Sequence, residues 1–416
     1  MKKITMRGLF VTQISLLVIL ISCEKSKTND QPGDPVNITT EVYQREVIDS
    51  ANRLAFDLLK PTLAGAKGAE NIMISPFSIT SALSMTLNGA VGETFEAIRK
   101  TLGLKEKTLE QINTTYLKLM TEMVPVDKRV VLDIANSVWV EKRLIVKQPF
   151  ITELQTWYKA EAREIDVTNP AAVDIVNGWI AEKTHDKIID MLDYLDPDLA
   201  MLLINAVYFN GKWRYQFDKA DTQEEPFYVT PSVSKTVSIM HQTENLKYAK
   251  TNKSTIVEIP YGQGNYTMVV VLPNENVTTS EVADALTPTL WNEWMELLAD
   301  NTSEIELSMP RFKYKYKRLL NNDLIDLGMG IAFTTNADFS NISDQSLMIS
   351  RVIHQTFIET NEEGTEAAAA TVVEVVNTSL PITIKINIDH PFLYFIRETS
   401  TGTVIFAGRV SDPTIN

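Results

Sequence analysis

The chain has 416 residues and a single cysteine, Cys23. No disulfide can form within it, and no thiol is left in the body for catalysis or for a metal site. Histidine is nearly as scarce, with four: His185, His241, His354 and His390. No H-E-x-x-H pair occurs, and no G-x-S-x-G nucleophile elbow. The glycines of "GQGNY" and "GMGIAF" lack the third glycine and the strand–helix setting of a dinucleotide loop. No carboxylate pair stands out from an ordinary solvated acidic face. The residues therefore call for no cofactor and no metal. Positive charge is short as well. The net charge of −14 argues against a nucleic-acid binder or a binder of anionic membranes, which need basic surface.

A long apolar run is also missing. The apolar stretch from Leu9 to Ile21 is short for a membrane span, and Lys2, Lys3 and Arg7 precede it. That layout, over residues 1–22, is an export signal. It closes on "LISC", with Cys23 where the apolar run ends. The segment resembles a bacterial lipoprotein signal, in which that cysteine becomes the lipidated first residue. The resemblance implies a chain exported and anchored to the cell envelope through Cys23, in the outer membrane facing the periplasm or the surface, or else extracellular. Residues 23–42 are polar and carry prolines and glycine, as a flexible tether does. From 43 to 416 there is no second linker, no low-complexity block and no repeat, which reads as one large domain. Hydrophobic residues at 44% and charged residues at 22% suit a chain with a sizeable core.

Within that body, "NIMISPFSITSALSMTLNGAVGET" (Asn71–Thr94) reads as a short strand followed by a helix. Ser75 is a good N-cap, Pro76 fits the first helical position, and Ile79, Ala82, Leu83, Leu87 and Ala90 recur at helical spacing. Val130–Val140, Met201–Trp213 and Tyr266–Pro273 are apolar, β-branched and aromatic, as buried strands are. Val173–Leu192 reads as a helix. Ile382, Ile384, Ile386 and Ile388 alternate with polar residues, the pattern of a half-buried strand, and "PFLYFI" and "VIFAGRV" form a terminal hairpin. In "RFKYKYKR", Arg311, Lys313, Lys315 and Lys317 share one face of a strand and Phe312, Tyr314 and Tyr316 the other. Helices dominate the first half and strands the second, which suggests an α+β fold with large sheets.

One stretch resists assignment. "NEEGTEAAAATVVEVVNTSLP" (Asn361–Pro381) is too polar for a core helix and too apolar for an ordinary loop. In steps of two, Thr365, Ala367, Ala369, Thr371, Val373 and Val375 carry no charge. Glu366 and Glu374 both fall on the opposite parity, with Ala368, Ala370, Val372 and Val376. As a strand, the segment has one face a core accepts and one that meets solvent. No proline interrupts it before Pro381, and Gly364 gives its start backbone freedom.

Four pieces together, "NIMISPFSITSALSMTLNGAVGET", "INAVYFNGKWRYQFDKADTQEEPF", "EEGTEAAAAT" and "INIDHPFLYFI", are similar to serpin motifs and stand in the serpin order. The resemblance runs from about residue 45 to the end. It implies an α+β serpin fold of about nine helices and three β-sheets with an exposed reactive-centre loop over about residues 362–383. It implies no enzyme but an irreversible suicide inhibitor of serine proteases. The target cuts the loop and is trapped as an acyl-enzyme while the loop inserts into the main sheet. A non-inhibitory serpin used as a binding or adhesion module is the alternative.

The resemblance also assigns residues. The hinge is Glu362, Glu363, Gly364, Thr365, Glu366, Ala367, Ala368, Ala369, Ala370 and Thr371. Counting from Glu362 as in serpins puts the reactive bond between Thr378 and Ser379, with cuts after Val376 or Asn377 as alternatives. No Lys or Arg lies between Gly364 and Thr383, so a trypsin-like target is disfavoured. Small β-branched residues suit an elastase-like or subtilisin-like protease, and a papain-like cysteine protease is left open. Ser75, Ser78, Asn205 and His354 match the buried "shutter" cluster, and Trp213 and Arg311 the "breach", with Arg311 paired to Glu362. "THDK" (Thr184–Lys187) departs from the family where many members have glycine before the lysine, which bears on local helix termination. The chain is expected to act as a monomer whose partner is the protease.

Overall fold

The computed structural model describes residues 33–66, 69–365 and 383–415. Helices come first. They are α1 (Val42–Gly65), α2 (Pro76–Gly89), α3 (Gly92–Thr101), α4 (Leu109–Val126), α5 (Gln148–Tyr158) and α6 (Ala172–Lys183), then α7 (Thr279–Ala285), α8 (Pro288–Asp300) and the short α9 (Asn321–Leu324). The first strands are β1 (Ile72–Ile74), β2 (Val130–Glu141), β3 (Glu161–Ile165), β4 (Met201–Lys212), β5 (Gln223–Thr230) and β6 (Val233–Lys250). They are followed by β7 (Ser254–Tyr261), β8 (Tyr266–Pro273), β9 (Thr302–Pro310), β10 (Phe312–Leu319), β11 (Ile353–Asn361) and β12 (Gly364–Thr365). β13 (Ile384–Asn387), β14 (Phe392–Glu398) and β15 (Val404–Val410) complete the set.

Pairing joins these into two sheets. A six-stranded sheet runs β10-β11-β12-β4-β2-β3. A nine-stranded sheet runs β1-β15-β14-β8-β7-β6-β9-β13, with β5 also on β6. The third sheet expected from the resemblance is fused to its neighbour because β6, at 18 residues, is long enough to serve both. Its first part pairs with β5 and its last four residues with β7, while β9 runs along the middle of its other edge, from Ile239 to Lys247.

The six-stranded sheet is covered on both faces. Phe209, Ile358 and the β10 aromatics join the main core with α1, α2 and the second sheet. On the other face, Ile204 and Ala206 of β4 and Trp139 of β2 pack with Val176, Trp179 and Ile180 of α6. A strand placed in this sheet must therefore offer an apolar side to the main core. β10 shows the rule: Phe312, Tyr314 and Tyr316 are buried, and Lys313, Lys315 and Lys317 are exposed.

Two expectations need correction. The helix expected over Val173–Leu192 stops at Lys183. His185 and Asp186 take φ of 50° and 59°, left-handed geometry that ends the helical ladder. The chain after them folds back, and Leu192 and Asn177 exchange two hydrogen bonds. The flexible tether expected over 23–42 does not include its last residues. Val36 exchanges hydrogen bonds with the side chain of Asn265, and the Ile38 amide donates to Ser400, with Ile38 buried. A single apolar side chain among polar neighbours was the anchor. Cys23 lies outside the described residues.

Candidate functional site

β12 is two residues long and sits between β11 and β4. Gly364 and Thr365 pair with Asn361 and Thr360 on one side and with Lys212 and Gly211 on the other. Among the described residues, β11 and β4 have no direct pairing; β12 alone bridges them. Between their far ends, beside Ile79 of α2, lies a cavity of about 300 Å3 lined by Leu203, Asn205, Ile353 and His354.

The turn Asn361–Gly364 that brings the chain into this gap is held from several sides. Trp213 donates its indole N–H to the Asn361 carbonyl at 2.9 Å and its amide to the Glu363 carbonyl at 2.9 Å. The Phe217 amide donates to the Glu362 carbonyl at 3.0 Å. Trp213 in turn stacks on Tyr261, centroids 4.3 Å apart and planes 11° from parallel. At Gly364 a Cβ would fall 2.1 Å from the Gly211 carbonyl oxygen, so only glycine fits there.

Among the described residues, the carboxylates of Glu362 and Glu363 are buried and paired. Arg311 donates Nε–H to Glu362 at 2.6 Å, and Thr222 donates its hydroxyl to the same oxygen. Burial works to raise the Glu362 carboxyl, but these hydrogen bonds and the guanidinium charge outweigh it and hold it below its ordinary value. Glu363, with a side chain 4% exposed, pairs with Lys219. Among the described residues, its other carboxylate oxygen is buried without a partner.

The four residues expected to form the shutter are brought together beneath the gap. Ser75 caps α2 by accepting the Ser78 amide at 3.3 Å. The Ser75 amide donates to His354 Nε2 at 2.9 Å, so this nitrogen carries no proton. The Ser78 hydroxyl donates to the Asn205 carbonyl at 3.4 Å. His354 is fully enclosed, and burial pushes its imidazole down to about 4. Asn205 donates to Asn136 Oδ1 at 2.7 Å, and Asn136 donates to the Tyr158 carbonyl at 2.7 Å. The Asn205 Oδ1 is buried and, among the described residues, has no partner.

Sequence reading missed Asn136, Tyr261, Thr222 and Lys219. Asn136 had a signal, an amide inside an apolar strand. The other three had none, because long-range packing alone brings them to the hinge. Of the expected residues, Glu366, Ala367, Ala368, Ala369, Ala370 and Thr371 lie outside the described part, as do Val376, Asn377, Thr378 and Ser379.

The family model of serpins, serine protease inhibitors, matches residues 49–413. The chain belongs to the serpin family. Among serpin relatives, a serpin-like protein of Methanosarcina acetivorans is 34% identical over 96% of this chain and 96% of its own length. The human leukocyte elastase inhibitor is 33% identical over 88% of this chain and all of its own length. Among solved serpins, the crystal structure of human thyroxine-binding globulin with thyroxine matches with a TM-score of 0.82. It is 27% identical and covers 90% of this chain and 100% of its own. Proteins of the serpin family are protease inhibitors, which supports a non-enzyme, inhibitor role at the level of the family.

Proposed function

We propose that the protein is an irreversible suicide inhibitor of serine proteases with elastase-like or subtilisin-like specificity, with papain-like cysteine proteases as a further class. The observation that carries this reading is β12, whose two residues already lie between β11 and β4.

Chemistry and mechanics divide between the partners. The protease serine attacks the carbonyl of Thr378, the amine of Ser379 leaves, and Thr378 is held as an ester on the enzyme. The freed loop then extends β12 down the gap. Continuing the pairing of β12 with β4 and, independently, with β11 sets Thr371 level with both Asn205 and His354. The same register keeps Ala367, Ala369, Thr371, Val373 and Val375 on the side of Thr365, which is buried toward the main core. Glu366 and Glu374 fall toward the α6 side. Each added residue gains ladder hydrogen bonds on both edges, which makes insertion downhill from the uncut state. The protease is carried along before water can release it.

The export signal and Cys23 support a lipid anchor on the cell envelope, with the body on a tether. The serpin would act there as a monomer against proteases reaching the cell. No helix among the described residues is long and apolar enough to cross a membrane.

The test is incubation with an elastase, followed by electrophoresis in SDS. A covalent complex of the two chains is the expected result. Cleaved protein beside fully active protease would end the inhibitory reading. The likeness to thyroxine-binding globulin favours the second reading, a serpin that serves as a binding module. That reading expects no gain in thermal stability once the loop is cut.

A further inference from the structure

Thr365 is the first hinge side chain to lie inside the sheet on the main-core side, at 3% exposure. Its Oγ1 is 2.7 Å from the Tyr261 hydroxyl and 3.3 Å from the Thr360 Oγ1. Tyr261 ends β7 in the other sheet, so it belongs to a separate frame. Its ring is stacked on Trp213 and meets Phe209 edge-on at 5.1 Å. Burial pushes its phenol far above the ordinary range, which keeps the hydroxyl proton in place. Tyr261 can come this close because Gly211, the β4 partner of Thr365, has no side chain. A Cβ there would stand 3.0 Å from the Tyr261 ring.

Two independent contacts therefore identify two consecutive residues. The Gly364 site accepts only glycine, and the Thr365 site presents a buried hydroxyl that needs a hydroxyl partner. A slip of one residue in either direction would set Gly364 or Glu366 against Tyr261. It would also turn every later side chain to the wrong face, carrying Glu366 and Glu374 into the core.

We propose that Tyr261 is a positioning residue whose hydroxyl, with that of Thr360, recognises Thr365 and sets the register in which the loop enters the sheet, before the loop is cut. The role rests on the insertion reading given above.

Tyr261→Phe keeps the stack on Trp213 and removes only the hydroxyl. In the uncut full chain, amide exchange over Gly364–Thr365 is expected to rise roughly fivefold. After cutting by an elastase, insertion followed by tryptophan fluorescence is expected to slow by roughly the same factor. Thr365→Val should reproduce both effects, Thr365→Ser should restore them, and Tyr261→Phe/Thr365→Val should be no worse than either single change. Unchanged exchange in Tyr261→Phe overturns the role of Tyr261 alone. So does an effect that persists undiminished in the Thr365→Val background. Failure of the wild-type chain to gain thermal stability on cutting overturns the insertion reading, and the register role with it.

Discussion

His354 accepts the amide proton of Ser75 at 2.9 Å, and that bond requires a neutral imidazole. The folded imidazole titrates at about 4 against an ordinary 6.5, because burial disfavours the charge. The sign follows from linkage. Protonation is easier in the unfolded chain, so the contribution is complete above pH 6.5 and is lost as pH falls toward 4. Its size is about 3 kcal/mol. Denaturant unfolding between pH 4 and 7 should show this slope, and His354→Gln should flatten it. An equal slope in the variant would place the acid sensitivity elsewhere.

Arg311→Ala leaves the Glu362 carboxylate buried without its cation, although Thr222 still donates to it. The side chain of Glu362 is 2% exposed and that of Arg311 44%, so the loss lies between the buried and surface limits, at about 1–3 kcal/mol. The unfolding midpoint of the uncut protein is the measurement. Arg311→Lys should recover part of the loss, since it restores the charge without the guanidinium fork.

Gly364→Ala drives a methyl into the Gly211 carbonyl oxygen. Backbone cannot move aside as a flexible side chain would, so β12 should leave the sheet. Exchange over residues 361–365 should rise at least tenfold, with a loss of about 1–3 kcal/mol in the uncut chain. A crystal structure of the variant with Thr365 still bonded to Tyr261 would contradict this.

Thr365→Arg puts a charge on the face that packs under Tyr261 and Thr360. An unpaired buried cation costs several kcal/mol, which is enough to stop strand entry. The variant should be cut at the wild-type rate and yield free, active protease in place of the SDS-stable complex. Complex formation at the wild-type level would show that Thr365 does not enter on the core side.

Much of this was readable from residue order. Ser75 and Pro76 announce the start of α2, and the alternation in β10 announces its buried aromatic face. What could not be read depends on contacts between distant segments. Nothing around Lys219 or Tyr261 marks them as neighbours of Glu363 and Thr365, from which 144 and 104 positions separate them. The end of α6 was misjudged because the apolar spacing continues past Lys183, while two left-handed residues, His185 and Asp186, break the ladder without a glycine to signal it. Ile38 was hidden in the same way, an apolar residue between Asn37 and Thr39 whose partner, Ser400, lies at the other end of the chain.

The place of β12 bears on speed. In any strand or helix the first pairings are the slow ones, because order must be imposed before neighbouring bonds repay it. Here those first pairings exist while the loop is whole. On the proposed insertion reading, cutting the loop would release a growth process with its nucleus already formed, and every later residue would have only to add to an end. On the proposed inhibitory reading, acyl-enzyme hydrolysis runs against that growth, and the race between trapping and escape would be set in large part by two residues away from the cut bond, Gly364 and Thr365.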